Sequence, residues 1–243
     1  MTDRPAVAEI DLPGARVAFS SRIGGVSEPP YDTLNLGILT GDDRERVREN
    51  RGPLAARLNL RPEQVAMGWQ VHGTDLLDWR APPDGGGFAQ PGAELEKVDG
   101  HVTSVPGVAL LVLVADCLPV ALVAAGRVAM LHCGWRGLAG GIVERAVSGF
   151  DEAPEAVIGP GIGACCYEVG EEVLSAFRDL RGVADGRMLD LRAVASQKLK
   201  AAGVQQVHHV GVDACTSCRA DLFFSHRRDG PETGRQAGLA WLT

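Results

Sequence analysis

Long apolar runs bounded by Pro, Gly and charged residues dominate the middle of the chain. Residues 108–115, 119–124 and 127–132 read as three consecutive strands, apolar without alternation and therefore buried on both faces. Shorter runs predict strands at 15–20, at 65–71, at 157–158 leading into the glycine turn 159–163, and at 204–210. Asp42 and Asp43 can cap a helix through Arg46, Val47 and Asn50, interrupted at Pro53 and continued by Leu54, Leu58 and Leu60. Further helices are expected at 137–150, 170–180 and 191–202, the last capped by Asp190 and stopped by Gly203. Residues 1–13 read as a loose lead-in. Residues 81–93, with three prolines and four glycines, read as an exposed insertion. The pattern predicts one α/β to α+β domain with a mixed β-sheet and flanking helices.

Size agrees with that reading, since 243 residues with 45% hydrophobic content suit a single substantial core. A net charge of −7 argues against a nucleic-acid surface. The longest apolar stretch, 105–123, is broken by Asp116, Cys117 and Pro119, short of the ~18 residues of a membrane span. The first residues lack the basic start and apolar stretch of a signal peptide, so a cytoplasmic protein is expected. In that reducing compartment the six cysteines are better suited to metal binding or reactivity than to disulfides.

The chemistry concentrates at the polar ends of the apolar runs. Cys117 stands between two predicted strands, His132 ends another, and His72 follows the run 65–71. Two imidazoles and a thiolate can hold zinc and leave a fourth position open, the arrangement of a catalytic rather than a structural site. The same Cys117 and His132 would equally serve as a thiolate nucleophile and its base. Arg22, Arg136, Arg227, Arg228 and Arg235 lie in Gly- or Ser-containing stretches and are candidates for an anion site; Arg136, four residues after His132, is the strongest. The glycine turn 159–163 offers backbone N–H groups to a phosphate. Cys215 and Cys218 form a Cys-x-x-Cys pair near His208 and His209, a weak zinc signal without a matching ligand pair. Adjacent Cys165 and Cys166 read as packing at a loop-to-helix junction.

The ordered set Ser21-Arg-Ile-Gly-Gly-Val-Ser27, Leu34-Asn-Leu-Gly37, Gln70-Val-His-Gly73, Val98-Asp-Gly-His-Val-Thr103, Ala115-Asp-Cys-Leu-Pro119 and His132-Cys-Gly-Trp-Arg-Gly137 resembles the YfiH-type family. So do Ile158-Gly-Pro-Gly-Ile-Gly163, Cys166-Tyr-Glu-Val-Gly170, Cys215-Thr216, Phe224-Ser-His-Arg-Arg-Asp-Gly230 and Thr233-Gly-Arg235, so that the resemblance spans nearly the whole chain. Members were long labelled polyphenol oxidase or laccase-domain proteins and later understood as purine nucleoside phosphorylases. The resemblance implies a layered sandwich like that of cytotoxic necrotizing factor toxins. It implies zinc on His72, Cys117 and His132, and phosphorolysis of adenosine, inosine, guanosine or methylthioadenosine, with adenosine deamination beside it. Zinc lowers the pKa of bound water, which suits attack at C6 of adenine, although the usual His-x-Glu and Pro-Cys-x-x-Cys deaminase frame is absent.

The expected partners are a purine nucleoside and phosphate, with a monomer or weak homodimer as the assembly. Asp116 and Glu168 are candidate proton donors to the leaving purine. Cys133, Leu138 and His226 depart from the family's commoner alanine, threonine and tyrosine, which bears on substrate preference. The toxin likeness also leaves a Cys/His hydrolase or deamidase open, and some relatives are associated with peptidoglycan editing. A multicopper laccase is disfavoured: it needs on the order of ten histidine ligands, and this chain has six histidines and no His-x-His. Adventitious copper remains compatible with a tight N/S site.

Overall fold

The computed structural model describes residues 7–83, 85–210 and 215–243. It opens with β1 (Val7–Leu12), β2 (Ala15–Ser20), α1 (Arg44–Arg57), β3 (Val65–Ala66), β4 (Leu76–Trp79) and β5 (Gly100–Thr103). The long apolar runs form β6 (Ala109–Val114), β7 (Leu118–Ala124) and β8 (Arg127–Cys133). Then come α2 (Trp135–Gly140), α3 (Ile142–Val147), β9 (Glu155–Ile158), α4 (Glu171–Ala176), β10 (Ala184–Asp185) and β11 (Met188–Leu189). The chain closes with α5 (Leu191–Ala201), β12 (Val207–His209), α6 (His226–Asp229) and β13 (Gln236–Leu242).

Two mixed sheets result, in the orders β1-β2-β13-β6-β3 and β12-β9-β7-β8-β5-β4, beside a small β10–β11 hairpin. One face of β7 and β8, carrying Ala121, Val123, Val128 and Met130, packs on Val17, Phe19, Leu110, Val112 and Ala240 of the other sheet. Their opposite face, carrying Val120, Leu122, Ala129 and Leu131, packs on Leu138, Ile142, Val143, Val194 and Leu199 of the helices. The outer face of the first sheet is covered by Leu54 of α1 and Leu58 just after it. The fold is therefore an α+β sandwich of two sheets between helical layers. The central strands lie between apolar neighbours on both sides, which is why their sequences do not alternate. No helix among the described residues is long and apolar enough to cross a membrane.

Several elements differ from the sequence-based expectation. Residues 7–12 of the expected lead-in form an edge strand paired antiparallel with β2 from Val7↔Ser20 to Leu12↔Ala15; residues 1–6 lie outside the described residues. Its half-exposed alternation gives a weaker signal than a buried run. Pro53 lies inside one continuous helix, because Asp43 caps the start through the N–H groups of Glu45 and Arg46 and burial of Val47, Leu54 and Ala55 holds the rest. The expected helix 137–150 is two helices, broken where Gly141 adopts φ +93°. The strand expected at 65–71 ends at Ala66. Loop 81–93 lacks regular structure but is not wholly exposed. Phe88 is buried, and the buried Arg51 guanidinium donates to the Gly87 and Phe88 carbonyls and to Leu36 O.

His101 on β5 is fully buried; its Nδ1 accepts from Trp79 Nε1 at 3.1 Å, and its Nε2 has no partner among the described residues. Burial pulls its pKa to about 4, against an opposing pull from Asp99. The unfolded chain then binds a proton near pH 6.5 that the fold refuses until about pH 4. The neutral imidazole's contribution is complete above pH 6.5 and is lost as pH falls towards 4, a change on the order of 3 kcal/mol. Denaturant titrations at stepwise pH should show that fall in the wild type and a flatter profile in His101→Gln.

Candidate metal centre and its cavity

The β6–β7 connection carries the chain from one sheet to the other through Ala115, Asp116 and Cys117, so Cys117 emerges where the two sheets separate. Asp116 turns the corner at φ +95°, outside the ordinary range for a side chain. Its carboxylate accepts from Thr216 Oγ1 (2.6 Å) and Arg227 N (2.7 Å), and its carbonyl accepts from Ile162 N (2.9 Å). His132, the penultimate residue of β8, pairs across the β7–β8 ladder with Pro119, two residues after Cys117. His72 stands in a loop rather than at a strand end, with φ +61°.

A residue that sequence reasoning left without a role unites these pieces. Asp99 is fully buried at the start of β5, and its carboxylate accepts from the backbone N–H groups of Val71 (3.0 Å), His72 (2.9 Å) and Gly73 (2.7 Å). It also meets His132 Nδ1 at 2.7 Å. One carboxylate thus fixes the backbone of one histidine and the ring of the other. The result brings donor atoms of His72, Cys117 and His132 within 4.8 Å of one another, with the imidazole rings edge to face at 4.8 Å. Gly134 closes the centre from the side, where a Cβ would stand 3.0 Å from Cys117 Sγ and 3.1 Å from the His72 ring. The available signal for Asp99 was a lone carboxylate opening the short buried segment Gly100–Thr103.

The electrostatics follow from that packing. Burial opposes ionisation of Cys117, yet the facing imidazoles of His132 and His72 outweigh it and bring the thiol down to about 6. Burial likewise opposes a charged His132, but the Cys117 sulfur and the Asp99 carboxylate push it up to about 9. Burial works against the Asp99 carboxylate; the His132 and backbone N–H donors hold it at about 2. A preformed thiolate with two imidazoles is the donor set that zinc prefers, and the Asp99 bond leaves His132 Nε2 as the ring nitrogen available to a metal.

The three residues form part of the wall of a cavity of about 760 Å³, within the ~300–1,000 Å³ range of small-molecule sites. Of the expected anion ligands, Arg136, Arg227 and Arg235 line it, whereas Arg22 and Arg228 do not. Arg22 is engaged by the Asp32 and Ala220 carbonyls and the Phe224 ring. Arg228 binds the carbonyls of Thr216, Ser217 and Phe223 and the Asp229 carboxylate. Arg227 stacks on Tyr167 and donates to Cys166 O and Glu168 O. Arg235 donates to Thr233 O and Gly234 O. Arg136 is exposed on α2, stacked 4.4 Å from the Trp135 ring centroid, with no hydrogen bond to a described residue. Its guanidinium is the most available of these. The candidate proton donors are engaged too, Asp116 as above and Glu168 by Arg187 at 3.1 Å.

The cysteines thought unrelated come together elsewhere. Cys165 and Cys166 supply the second pair that Cys215 and Cys218 lacked in sequence, and the four sulfurs cluster within 4.8 Å. His208 is not among them; it pairs with Glu155 at 2.7 Å.

A family profile described as "Multi-copper polyphenol oxidoreductase laccase" matches residues 16–243. "Purine nucleoside phosphorylase YfiH" of Escherichia coli (strain K12) is 40% identical over 242 residues, covering 94% of each chain. "Purine nucleoside phosphorylase YlmD" of Geobacillus stearothermophilus is 38% identical, covering 91% of this chain and 88% of its own. Among solved structures, the YfiH protein of Bacillus licheniformis superposes with a TM-score of 0.90 at 31% identity, over 100% of this chain and 98% of its own. YlmD of Geobacillus stearothermophilus gives 0.87 at 35% identity, over 94% and 92%. With sequence and fold agreeing over essentially their full length, the chain belongs to the laccase-like YfiH/YlmD family.

Proposed function

We propose that the protein is a zinc-dependent purine nucleoside phosphorylase that also deaminates adenosine. The observation that carries this reading is the convergence of His72, Cys117 and His132 on a cavity lined by Arg136, whose guanidinium stacks on Trp135 and makes no hydrogen bond to a described residue; the names of the relatives add the reaction class. His72, Cys117 and His132 would hold the zinc, which supplies Lewis acidity and charge stabilisation when bound.

Arg136 receives the phosphate through its planar fork of donors, with Arg227 and Arg235 adding positive charge along the same wall. A phosphate oxygen forms the bond to C1′ as the bond from C1′ to the purine nitrogen breaks. The electron pair leaves with the base, which takes up a proton. Tyr167 is the wall residue suited to supply a hydrogen bond there. Burial and the nearby Cys117 charge push its phenol up to about 12, so it remains an O–H donor at neutral pH. Trp69 and Trp135 present indole surface to the cavity for the purine ring. Asp99 acts as a positioning residue for both histidines.

A second reading has an observation of its own. The lowered Cys117 thiol, the raised His132 and the Asp99 bond make a Cys-His-Asp arrangement like that of thiol hydrolases. Metal distinguishes the two. Zinc-loaded protein should convert adenosine and phosphate to adenine and ribose 1-phosphate, and phosphate-free protein should release inosine and ammonia. Cys117→Ser should lose one zinc equivalent along with both activities. Absence of base release from all four nucleosides by zinc-loaded protein would sink the phosphorylase reading. Rapid alkylation of Cys117 in protein that never takes up zinc at this centre would favour the thiol.

Arg136→Gln should lower kcat/KM for phosphate by ~10–100-fold, the loss of a charge-assisted hydrogen bond, with zinc content unchanged and partial rescue by Arg136→Lys. An unaltered phosphate KM would remove Arg136 from the anion site. Asp99→Asn should weaken zinc affinity by ~10–100-fold, measured by competition with a chromophoric chelator, and shift the pH profile of binding. Affinity equal to wild type would reduce Asp99 to a purely structural role.

A further inference from the structure

The four cysteines outside the nucleoside cavity occupy two loops held in register. Gly161 bridges Cys215, and Thr216 N donates to Gly161 O at 3.1 Å, which brings the segment after β9 against the segment before α6. All four thiols are free. Cys166 Sγ lies 3.3 Å and Cys165 Sγ 3.6 Å from Cys218 Sγ, and every sulfur of the set is within 4.8 Å of the others. A disulfide would unite two sulfurs at ~2.05 Å, whereas a tetrahedral ion with metal–sulfur bonds of ~2.3 Å spaces its sulfurs ~3.8 Å apart. The observed spacing surrounds the second value for four groups at once.

The backbone is arranged for thiolates. Gly163 N donates to Cys215 Sγ at 3.2 Å, and the N–H groups of Cys218 and Ser217 are directed at the same sulfur. Two guanidinium groups are fastened around the cluster by carbonyls of its own loops, Arg227 on Cys166 O and Arg228 on Thr216 O and Ser217 O. Four thiolates around a dication leave a net charge of about −2; Arg227 lies against it, whereas Arg228 already shares its charge with Asp229.

We propose that Cys165, Cys166, Cys215 and Cys218 form a second metal centre, a closed tetrathiolate site for zinc that clasps the two loops together. Four protein ligands leave no position for substrate, so this centre is structural. Its effect reaches the cavity nevertheless. The clasped loops carry Ile162, Tyr167 and Arg227 to the cavity wall, and Thr216 Oγ1 and Arg227 N hold the carboxylate of Asp116 beside Cys117. The proposal does not depend on the reaction catalysed.

Elemental analysis of protein purified without chelators should find about two zinc ions per chain in the wild type and one in Cys117→Ser. In that Cys117→Ser background, cobalt substitution should give the d–d bands and near-ultraviolet charge transfer of four thiolates. Cys218→Ser should lose one zinc while its remaining metal keeps a one-thiolate cobalt spectrum. Should Cys218→Ser fail to fold, the cobalt spectrum of Cys117→Ser still decides. The proposal is overturned by Cys117→Ser protein that binds neither zinc nor cobalt. It is equally overturned if the intact protein, before reduction, is lighter than the tetrathiol by the two hydrogens lost on forming a disulfide within the cluster and no second metal is present.

Discussion

Asp99 accepts four hydrogen bonds in a place that water does not reach, and the geometry of the His72, Cys117 and His132 centre rests on them. An unpaired buried carboxylate costs several kcal/mol, so the fold tolerates this one only with its donors in place. Three of those donors are consecutive backbone N–H groups, from Val71 to Gly73, and a loop that presents three N–H groups to one point must curl around it. The curl is what places His72 at positive φ. The fourth donor, His132, is fixed by the sheet. Gly100 pairs with Leu131, which sets Asp99 against His132, and His132 N donates to Asp99 O at 2.7 Å. Strand register and loop conformation therefore meet in one side chain.

A similar economy governs the arginines. Arg51 and Arg228 spend their forks on backbone carbonyls, fastening loops that have no ladder of their own, and Arg22 does so too, with an added ion pair to Asp32 at 3.0 Å. The guanidinium that suits phosphate also suits a pair of carbonyl oxygens, so residue type alone does not separate the roles. Position in the fold does. Arg136 sits on the first turn of a short helix that begins after Gly134, where the backbone passes close to Cys117, and its side chain bonds no carbonyl among the described residues.

The sequence was most readable where burial was two-sided. Runs such as 109–114 and 118–124 announce central strands because every position meets an apolar neighbour, and the chemistry at their ends was legible with them. β13 is as buried as these and lies between β2 and β6, but Gln236, Gly238 and two alanines dilute its apolar signal. Asp99 escaped because a carboxylate reads as surface until its partners are known, and those partners are backbone groups about 27 residues away in sequence. The Cys165–Cys166 pair escaped for a related reason. Its match lies some 50 residues on, and only the pairing of Gly161 with Cys215 makes them neighbours.

The two chemistries open to Cys117 are connected by charge balance. Without metal, the thiolate and the Asp99 carboxylate share a single proton on His132, which is why that imidazole is held up near 9 and the thiol down near 6. A dication among the same donors would replace that proton. Its two charges would cancel those of Cys117 and Asp99 and leave His132 a neutral imidazole able to serve as a ligand. Proton and zinc would thus compete for His132, and the buried carboxylate that stabilises the imidazolium would also orient the ring for a metal. What favours the metal is His72. An ion pair between Cys117 and His132 has no need of a second imidazole at 4.8 Å from the first, whereas a metal has use for a third ligand there.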